Sequence, residues 1–372
     1  MSDATLELLR NSITLSGAQP ESELFIADEN VDDNPMLLQF ARAMQVITNR
    51  FNNYTVIEQT GPRHCFSDFD FSHINDATLQ RIYYRTSKEK AVVHHVINAA
   101  ARLLKTGGEL ILAGEKHQGI QTYIKKAEQR LGGEAVVEKD GPARIGVIQK
   151  KSVGEILDDS DYATLRPAIS TDDIVFHSKP GVFGWQKIDQ GSAFMASQLA
   201  IAPIKNNRLL DLGCGYGYIS VMAQKYQPAL THATDNNAAA VLACKKNFAL
   251  NNITGDVIVD HIGASLAPEY DVVLCNPPFH QGFDVEHSLT HDFVAASSRL
   301  LRREGQALFV TNSFVALERV AAKYFTKVHA IADNKQFKVV LLTEPLRFVD
   351  QKRPNPSQRV RRLQENGEGW EQ

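Results

Sequence analysis

Cysteine is scarce in this chain: four residues in 372, at positions 65, 214, 244 and 275. No two of them stand in a C-x-x-C spacing, and no metal-ligand pattern surrounds them. Neither a disulfide framework nor a metal site is expected, and the thiols read as reduced. Surplus charge is also lacking, since 40 Lys and Arg face 43 Asp and Glu for a net charge of −3. No global field draws the chain to nucleic acid, so any contact with RNA or DNA must rest on a local basic patch. Long apolar runs are missing too: none reaches the roughly 18–20 residues of a membrane span. The opening stretch "MSDATLELLRNSITL" carries acids and no apolar h-region, so no signal peptide is expected there. These absences together point to a cytoplasmic protein without membrane or metal partners.

What is present is 43% hydrophobic and 22% charged, ordinary for a globular protein. The length fits two domains better than one. From Arg208 on, apolar runs of strand length alternate with helical patterns. "RLLDL" is a buried strand, "ALTHATD" the next, "DVIVDHIG" a third and "EYDVVLC" a fourth. "HDFVAASSRLLRREG" reads as a helix closed by Gly305, "QALFVTNSF" as a strand, "ALERVAAKYF" as a helix and "FKVVLLTE" as a last strand. Alternation of this kind predicts an α/β fold: a mostly parallel sheet with helices on both faces. Ligands of such sheets lie beyond the C-terminal ends of the strands.

Four candidate positions fall at those ends. Asp211 precedes Gly213, Gly215 and Gly217, a strand, Gly-rich turn and helix start in succession. Glycine permits positive φ and close approach of a ligand to the backbone. A dinucleotide fingerprint would need its third glycine at 218, where Tyr218 stands, so the spacing is G-x-G-x-G instead. Asp235 ends the next strand 18 residues beyond Gly217, near the separation of about 20 expected of an acid that takes ribose hydroxyls. An acidic turn residue in "TDNN" is the structural alternative. Asp260 ends the third strand. The fourth runs into "NPPFHQG", where two prolines stop the ladder and put Asn276, Phe279 and His280 at the stop.

Asp211-Leu212-Gly213-Cys214-Gly215-Tyr216-Gly217, Asp235, Asp260 and Asn276-Pro277-Pro278-Phe279 resemble the ordered motifs of class I S-adenosylmethionine-dependent methyltransferases. The resemblance covers about 171–345. It implies that the glycine turn carries the methionine end of the cofactor, Asp235 the ribose, and Asp260 the neighbourhood of adenine. It also implies a substrate with a planar nitrogen: adenine N6, guanine N2 or a glutamine amide. The lone pair of such a nitrogen is delocalised, and two acceptors at its N–H groups can free it. Asn276 Oδ1 and the Pro277 carbonyl would be those acceptors, with Phe279 a stacking face for a flipped base. "NPPFHQG" further resembles the bacterial rRNA guanine-N2 methyltransferases of the RsmC and RlmG type. So does "KPGVFGWQKIDQGSAFMASQL", whose Phe183, Asp189, Gly191 and Ser192 match a segment that packs on the cofactor. The chain departs from that pattern at Gly184-Trp185-Gln186-Lys187.

The N-terminal half reads as a second copy. "AARLLKTGGELILAGEKHQGIQTYIKKAEQRLG" parallels "SSRLLRREGQALFVTNSFVALERVAAKYF", and "ARIGVIQ" parallels "FKVVLLTE". Its first 80 residues hold no G-x-G-x-G, and "RIYYRTSKEKA" stands where "NPPFHQG" would. Two tandem methyltransferase folds are therefore expected, the first degenerate and without cofactor. Tyr83, Tyr84, Arg85 and Lys88, together with His280, are the candidate contacts to RNA; a solvated basic loop is the alternative. The expected boundaries are 1–151 for the degenerate copy, 152–170 for a linker, 171–345 for the catalytic copy and 346–372 for a basic tail. The resemblance favours the small-subunit branch: S-adenosylmethionine-dependent methylation of a guanine N2 in 16S rRNA, with ribosomal RNA or the small subunit as partner. Methylation of 23S rRNA, glutamine methylation and a non-catalytic RNA-binding factor are the competing readings. A duplicated chain already supplies the pairing a dimer would, so a monomer is expected.

Overall fold

The structure is a computed structural model that describes residues 4–16, 21–31, 34–171, 173–278 and 283–346. The first sheet is built from β1 (Glu23–Ala27), β2 (Gln45–Thr48), β3 (Cys65–Phe66), β4 (Leu79–Arg85), β5 (Leu104–Glu115), β6 (Ala135–Asp140) and β7 (Ala143–Gln149). Its helices are α1 (Ala4–Ser16), α2 (Asn34–Ala43), α3 (Phe51–Ile57), α4 (Lys90–Leu103) and α5 (Ile120–Leu131). A short hairpin of β8 (Arg166–Ser170) and β9 (Val175–Ser178) follows. The second sheet takes β10 (Arg208–Leu212), β11 (Leu230–Asp235), β12 (Val257–Val259), β13 (Tyr270–Cys275), β14 (Leu301–Asn312), β15 (Phe325–Asp333) and β16 (Phe337–Pro345). With it go α6 (Gln190–Gln198), α7 (Tyr218–Ala223), α8 (Ala238–Leu250), α9 (Phe283–Leu300) and α10 (Leu317–Ala321).

The strand orders are β3-β2-β1-β4-β5-β7-β6 and β12-β11-β10-β13-β14-β16-β15. Numbered from each sheet's own first strand, both read 3-2-1-4-5-7-6. The repeat seen in the sequence is thus a repeat of topology. Each sheet is parallel apart from its final antiparallel strands, β7 between β5 and β6, and β16 between β14 and β15. This is the Rossmann-like methyltransferase architecture expected, twice over.

Alternation along β4 sets the first core. Ile82 and Tyr84 join one buried cluster with residues of α4 and α5; Tyr83 joins another with residues of α1 and α2. Both faces of a central strand are covered, so Ile82, Tyr83 and Tyr84 are buried whichever face they take. Burying a large apolar side chain in this way is worth about 1.5–3 kcal/mol. Two local readings are corrected. Gly305 does not cap a helix: α9 ends at Leu300 and Gly305 lies in β14. In "ALERVAAKYF" only Leu317–Ala321 is helical, and Phe325 already begins β15. The edge strands β6 and β15 carry mostly exposed side chains and were not legible as strands.

Contacts divide the described chain into two compact units. The first holds the residues up to Asp189 with Gly213–Met222 and Ala233–His261; the second holds Gln190–Leu212, Ala223–His232 and the residues from Ile262 on. Within the first unit the stretch after β7 is laid against α4 and α5. Asn98 Nδ2 donates to Leu157 O at 2.8 Å, and the Gly154 amide donates to Arg130 O at 2.9 Å. Beyond β9, Lys179 forms a buried ion pair with Asp68. Tyr162 donates its hydroxyl to the same carboxylate at 2.5 Å, and Lys179 Nζ lies 3.8 Å from the Tyr162 ring centroid. Burial pushes the Asp68 carboxyl up and the Lys179 ammonium down, and each is opposed by the charge of the other. Breaking such a pair strands one charge in the interior. Lys179→Met is expected to cost about 3–5 kcal/mol, read from urea unfolding, with part of the loss recovered in Lys179→Met with Asp68→Leu.

Candidate active site

The glycine turn after β10 is shaped by its backbone. Gly213, Gly215 and Gly217 have φ of +81°, +55° and +87°. The Gly213 and Cys214 amides both donate to Thr234 O at 2.9 Å, which folds the turn over the end of β11. Asp235 completes the tie: its Oδ2 accepts from the Gly215 amide and its Oδ1 from the Asn237 amide, both at 2.9 Å. Burial pushes the Asp235 carboxyl up, and the Asn237 and Gly215 N–H groups and the Arg50 guanidinium oppose it. A carboxylate offers about four acceptor positions, more than these amides use. Asn237 in turn caps α8, its side chain accepting from the Ala239 amide at 3.1 Å, while its Nδ2 donates to Gly181 O at 2.8 Å. Asp260 is buried at the end of β12, its amide donating to Asp235 O at 3.1 Å.

Asn247, deep in α8, anchors the same turn from behind. Its Nδ2 donates to Tyr216 O at 2.8 Å and to His177 O at 2.9 Å, and its Oδ1 accepts from the His177 amide at 2.8 Å. No motif pointed to Asn247. The only sequence signal is an amide placed among apolar helix positions. Asp189 is half-buried. Burial, with the neighbouring Tyr218 and then the Asp189 charge, holds the Tyr216 hydroxyl well above its ordinary range. Phe183 is 59% exposed. The Gly184–Lys187 stretch that departs from the family pattern forms a turn, the Lys187 amide donating to Gly184 O at 3.1 Å.

The second unit holds the remaining candidates. β13 pairs in parallel with β10, Asp211 opposite Leu274, so Asp211 is buried inside the sheet and Asn276 follows the end of β13. Burial, with the nearby Asp211 charge, holds the Cys275 thiol well above its ordinary value. Asn276 Nδ2 donates to Ser192 Oγ at 2.8 Å. That bond orients the amide, with nitrogen toward Ser192 and Oδ1 on the opposite arm. Ser192, expected beside the cofactor, is thereby also tied to Asn276. Gly191 beside it is buried in the first turn of α6. Pro277 is buried and Pro278 exposed. Phe279 and His280 lie outside the described residues, as does the expected tail beyond Leu346.

The fit of the turn to S-adenosylmethionine rests on one direct observation. A Cβ built on Gly215 meets nothing within 4 Å, so the bare backbone there faces open space among the described residues. At Gly217 the reverse holds, because a Cβ would come 2.7 Å from Cys244 Sγ. One glycine admits a neighbour from outside, and the other lets α8 pack closely. No group of three or more His, Cys, Asp or Glu suited to a metal occurs among the described residues, and no helix among them is long and apolar enough to cross a membrane.

Two family models match the chain: "Methyltransferase small domain" over residues 173–341 and "Methyltransferase small domain N-terminal" over 8–136. The chain is 25% identical over 321 residues to the ribosomal RNA small subunit methyltransferase C of Erwinia tasmaniensis, covering 86% of this chain and 91% of that protein. It is 28% identical over 260 residues to the protein of that name from Aeromonas hydrophila, covering 68% of this chain and 74% of the relative. The chain belongs to the RsmC family of methyltransferases. Its fold is also that of a solved structure, the T. thermophilus 16S rRNA N2 methyltransferase RsmC in complex with AdoMet and guanosine: TM-score 0.75, 23% identity, 92% of each chain covered.

Against this RsmC-family frame, the matching corner of the first sheet is filled differently. Where β10 leads into glycine, β1 leads into Asp28 and Glu29. Tyr84 donates its hydroxyl to Asp28 Oδ2 at 3.1 Å, and Ser87 Oγ donates to Glu29 Oε1 at 2.8 Å. Arg50 pairs with Glu29 at 3.3 Å. Burial, with the Glu29 charge, pushes Asp28 up to about 7. Two carboxylates and their donors thus stand where a glycine turn would open. The same network corrects the RNA contacts expected of this loop. Tyr83 and Tyr84 are wholly buried and Arg85 is 4% exposed, so none of the three can stack on a base or reach a phosphate. Tyr83 instead donates to Glu23 Oε2 at 3.2 Å. Lys88 alone of the four is exposed.

Gly217→Ala is expected to lose the left-handed backbone cost of about 1–2 kcal/mol and about 1–3 kcal/mol more through overpacking against Cys244, whereas Gly215→Ala should lose the backbone cost alone. Urea midpoints of the two variants check the order.

Proposed function

We propose that this chain transfers a methyl group from S-adenosylmethionine to the exocyclic N2 amino group of a guanine in 16S rRNA. The observation that carries the reading is the held amide of Asn276, which follows the end of β13 and is itself followed by Pro277 and Pro278. Relatives named as small-subunit rRNA methyltransferases, aligned over both halves of the chain, support it. Bound in the glycine turn, the cofactor supplies an electrophilic methyl on a sulfonium. Asp235 would take the ribose hydroxyls, and Gly213, Gly215 and Gly217 would admit the methionine end. Asp211, Asp260, Phe183, Asp189 and Gly191 are proposed to complete the cofactor's surroundings.

The residues of the chain do the rest by alignment. Asn276 Oδ1 and the Pro277 carbonyl accept the two amino hydrogens and draw the nitrogen toward tetrahedral geometry. Ser192 is a positioning residue, holding the amide nitrogen so that the oxygen faces the substrate. Phe279 is proposed as the stacking face and His280 as a contact to base or phosphate. No strong general base is needed, because the acidified N–H can give its proton to water once the new bond exists.

The proposed division of labour gives 171–345 the chemistry and 1–151 structural support and RNA contact, with 152–170 between them and the tail from 346 adding charge. On the first half the exposed Lys88, Lys90, Lys116 and Lys125 replace the buried tyrosines as the surface for phosphate. A monomer working in the cytoplasm completes the reading.

Asn276→Ala is expected to lower kcat by about 10²–10³-fold, the scale of losing one transition-state hydrogen-bond partner, while calorimetry still registers cofactor binding. Full turnover in that variant would sink the mechanism. Labelled S-adenosylmethionine offered to small and large subunits from a strain lacking the protein should mark the small subunit. Label on the large subunit or on a release factor would favour the competing substrates.

A further inference from the structure

A segment of the first half reaches the turn on which the ribose acid sits. The Phe51 amide donates to Asn236 O at 2.8 Å, and the Ala238 amide donates to Asn49 O at 3.0 Å. Between these bonds Arg50 and Asn237 form an antiparallel bridge. Asn236 Nδ2 donates to Asn52 Oδ1 at 3.1 Å, 184 residues away in the chain. The bonds bracket Asn236 and Asn237, the two residues that follow Asp235, and Asn237 is also the cap of α8 and a donor to Gly181. The Arg50 guanidinium bears on the Asp235 carboxylate and opposes its burial. All these residues lie in one compact unit.

We propose that Asn49–Asn52, at the end of β2, is a positioning element for the cofactor's ribose, clamping the Asp235–Asn237 turn from outside the sheet that carries it. The inference rests on the reading of Asp235 as the ribose-holding acid. Physically, a carboxylate receives a diol well only when its two oxygens are held in place. The turn after β11 is short, and among the described residues the Asp235 carboxylate takes its hydrogen bonds from that turn and the glycine turn. The antiparallel bridge supplies a second, rigid side. Asn52 fixes the side chain of Asn236, and Arg50 keeps positive charge beside the acid. Loss of the clamp would leave the fold intact and loosen the hold on the ribose alone.

Calorimetry with S-adenosylhomocysteine and its 2′-deoxy analogue tests this in the full chain. The wild type should prefer the ribose form by about tenfold, the scale of one hydrogen bond to a charged group. In Asn52→Ala and in Arg50→Gln that preference should shrink to about twofold. Asn52→Asp, which keeps an acceptor, and Arg50→Lys, which keeps the charge, should restore it. An undiminished preference in both Asn52→Ala and Arg50→Gln overturns the clamp. A wild type indifferent to the 2′-hydroxyl overturns the reading of Asp235 instead, and the clamp with it. A loss of affinity equal for both ligands marks a merely structural effect and also overturns the proposal.

Discussion

The carboxylate of Asp235 is the contact on which the arrangement of the site depends. One oxygen holds the Gly215 amide and the other the Asn237 amide. The first bond closes the glycine turn over β11; the second begins α8. A carboxylate partly withdrawn from water is costly unless donors surround it. Here backbone N–H groups do so, together with the charge of Arg50. Gly215, at positive φ, and Asn237, the cap of α8, both give their amides to that side chain, and Asn49–Asn52 bonds to the residues on either side of Asn237.

Duplication explains how such a contact can be held from two directions. Both sheets have the same strand order, so each has a corner beyond the ends of its first, second and fourth strands. In the second sheet the first strand leads into glycines, which bond to the end of the second strand. In the first sheet that corner has Asp28, Glu29, Arg50, Tyr84 and Ser87 bonded to one another. One copy keeps an opening for a ligand. The other has filled the opening with its own polar side chains, and residues next to that filled corner brace the copy that stayed open.

How much of this was legible beforehand varies with physical cause. β10 and β13 are mostly buried, mostly apolar runs ended by Gly and Asn-Pro, and such runs announce themselves. β15 and β6 are exposed edge strands, so no alternation betrays them. Gly305 follows a basic pair as a helix cap would, yet ladder pairing with β13 and β16 claims the segment from Leu301 on. Tyr83 and Tyr84 misled because tyrosines beside arginine and lysine look like an RNA surface. Only the sheet order shows β4 to be central and covered on both faces. The bridge from Arg50 to Asn237 joins residues far apart in sequence and bears no motif at all.

The central claim is that the held amide of Asn276 receives a guanine amino group. It is tested most directly by nucleoside mass spectrometry of 16S rRNA from small subunits treated with the protein and trideuteromethyl S-adenosylmethionine. The account predicts a labelled N2-methylguanosine whose rate of appearance falls by about 10²–10³-fold when Asn276→Ala replaces the wild type. Label recovered instead as a methyladenosine, or as guanosine methylated on a ring nitrogen, would contradict it.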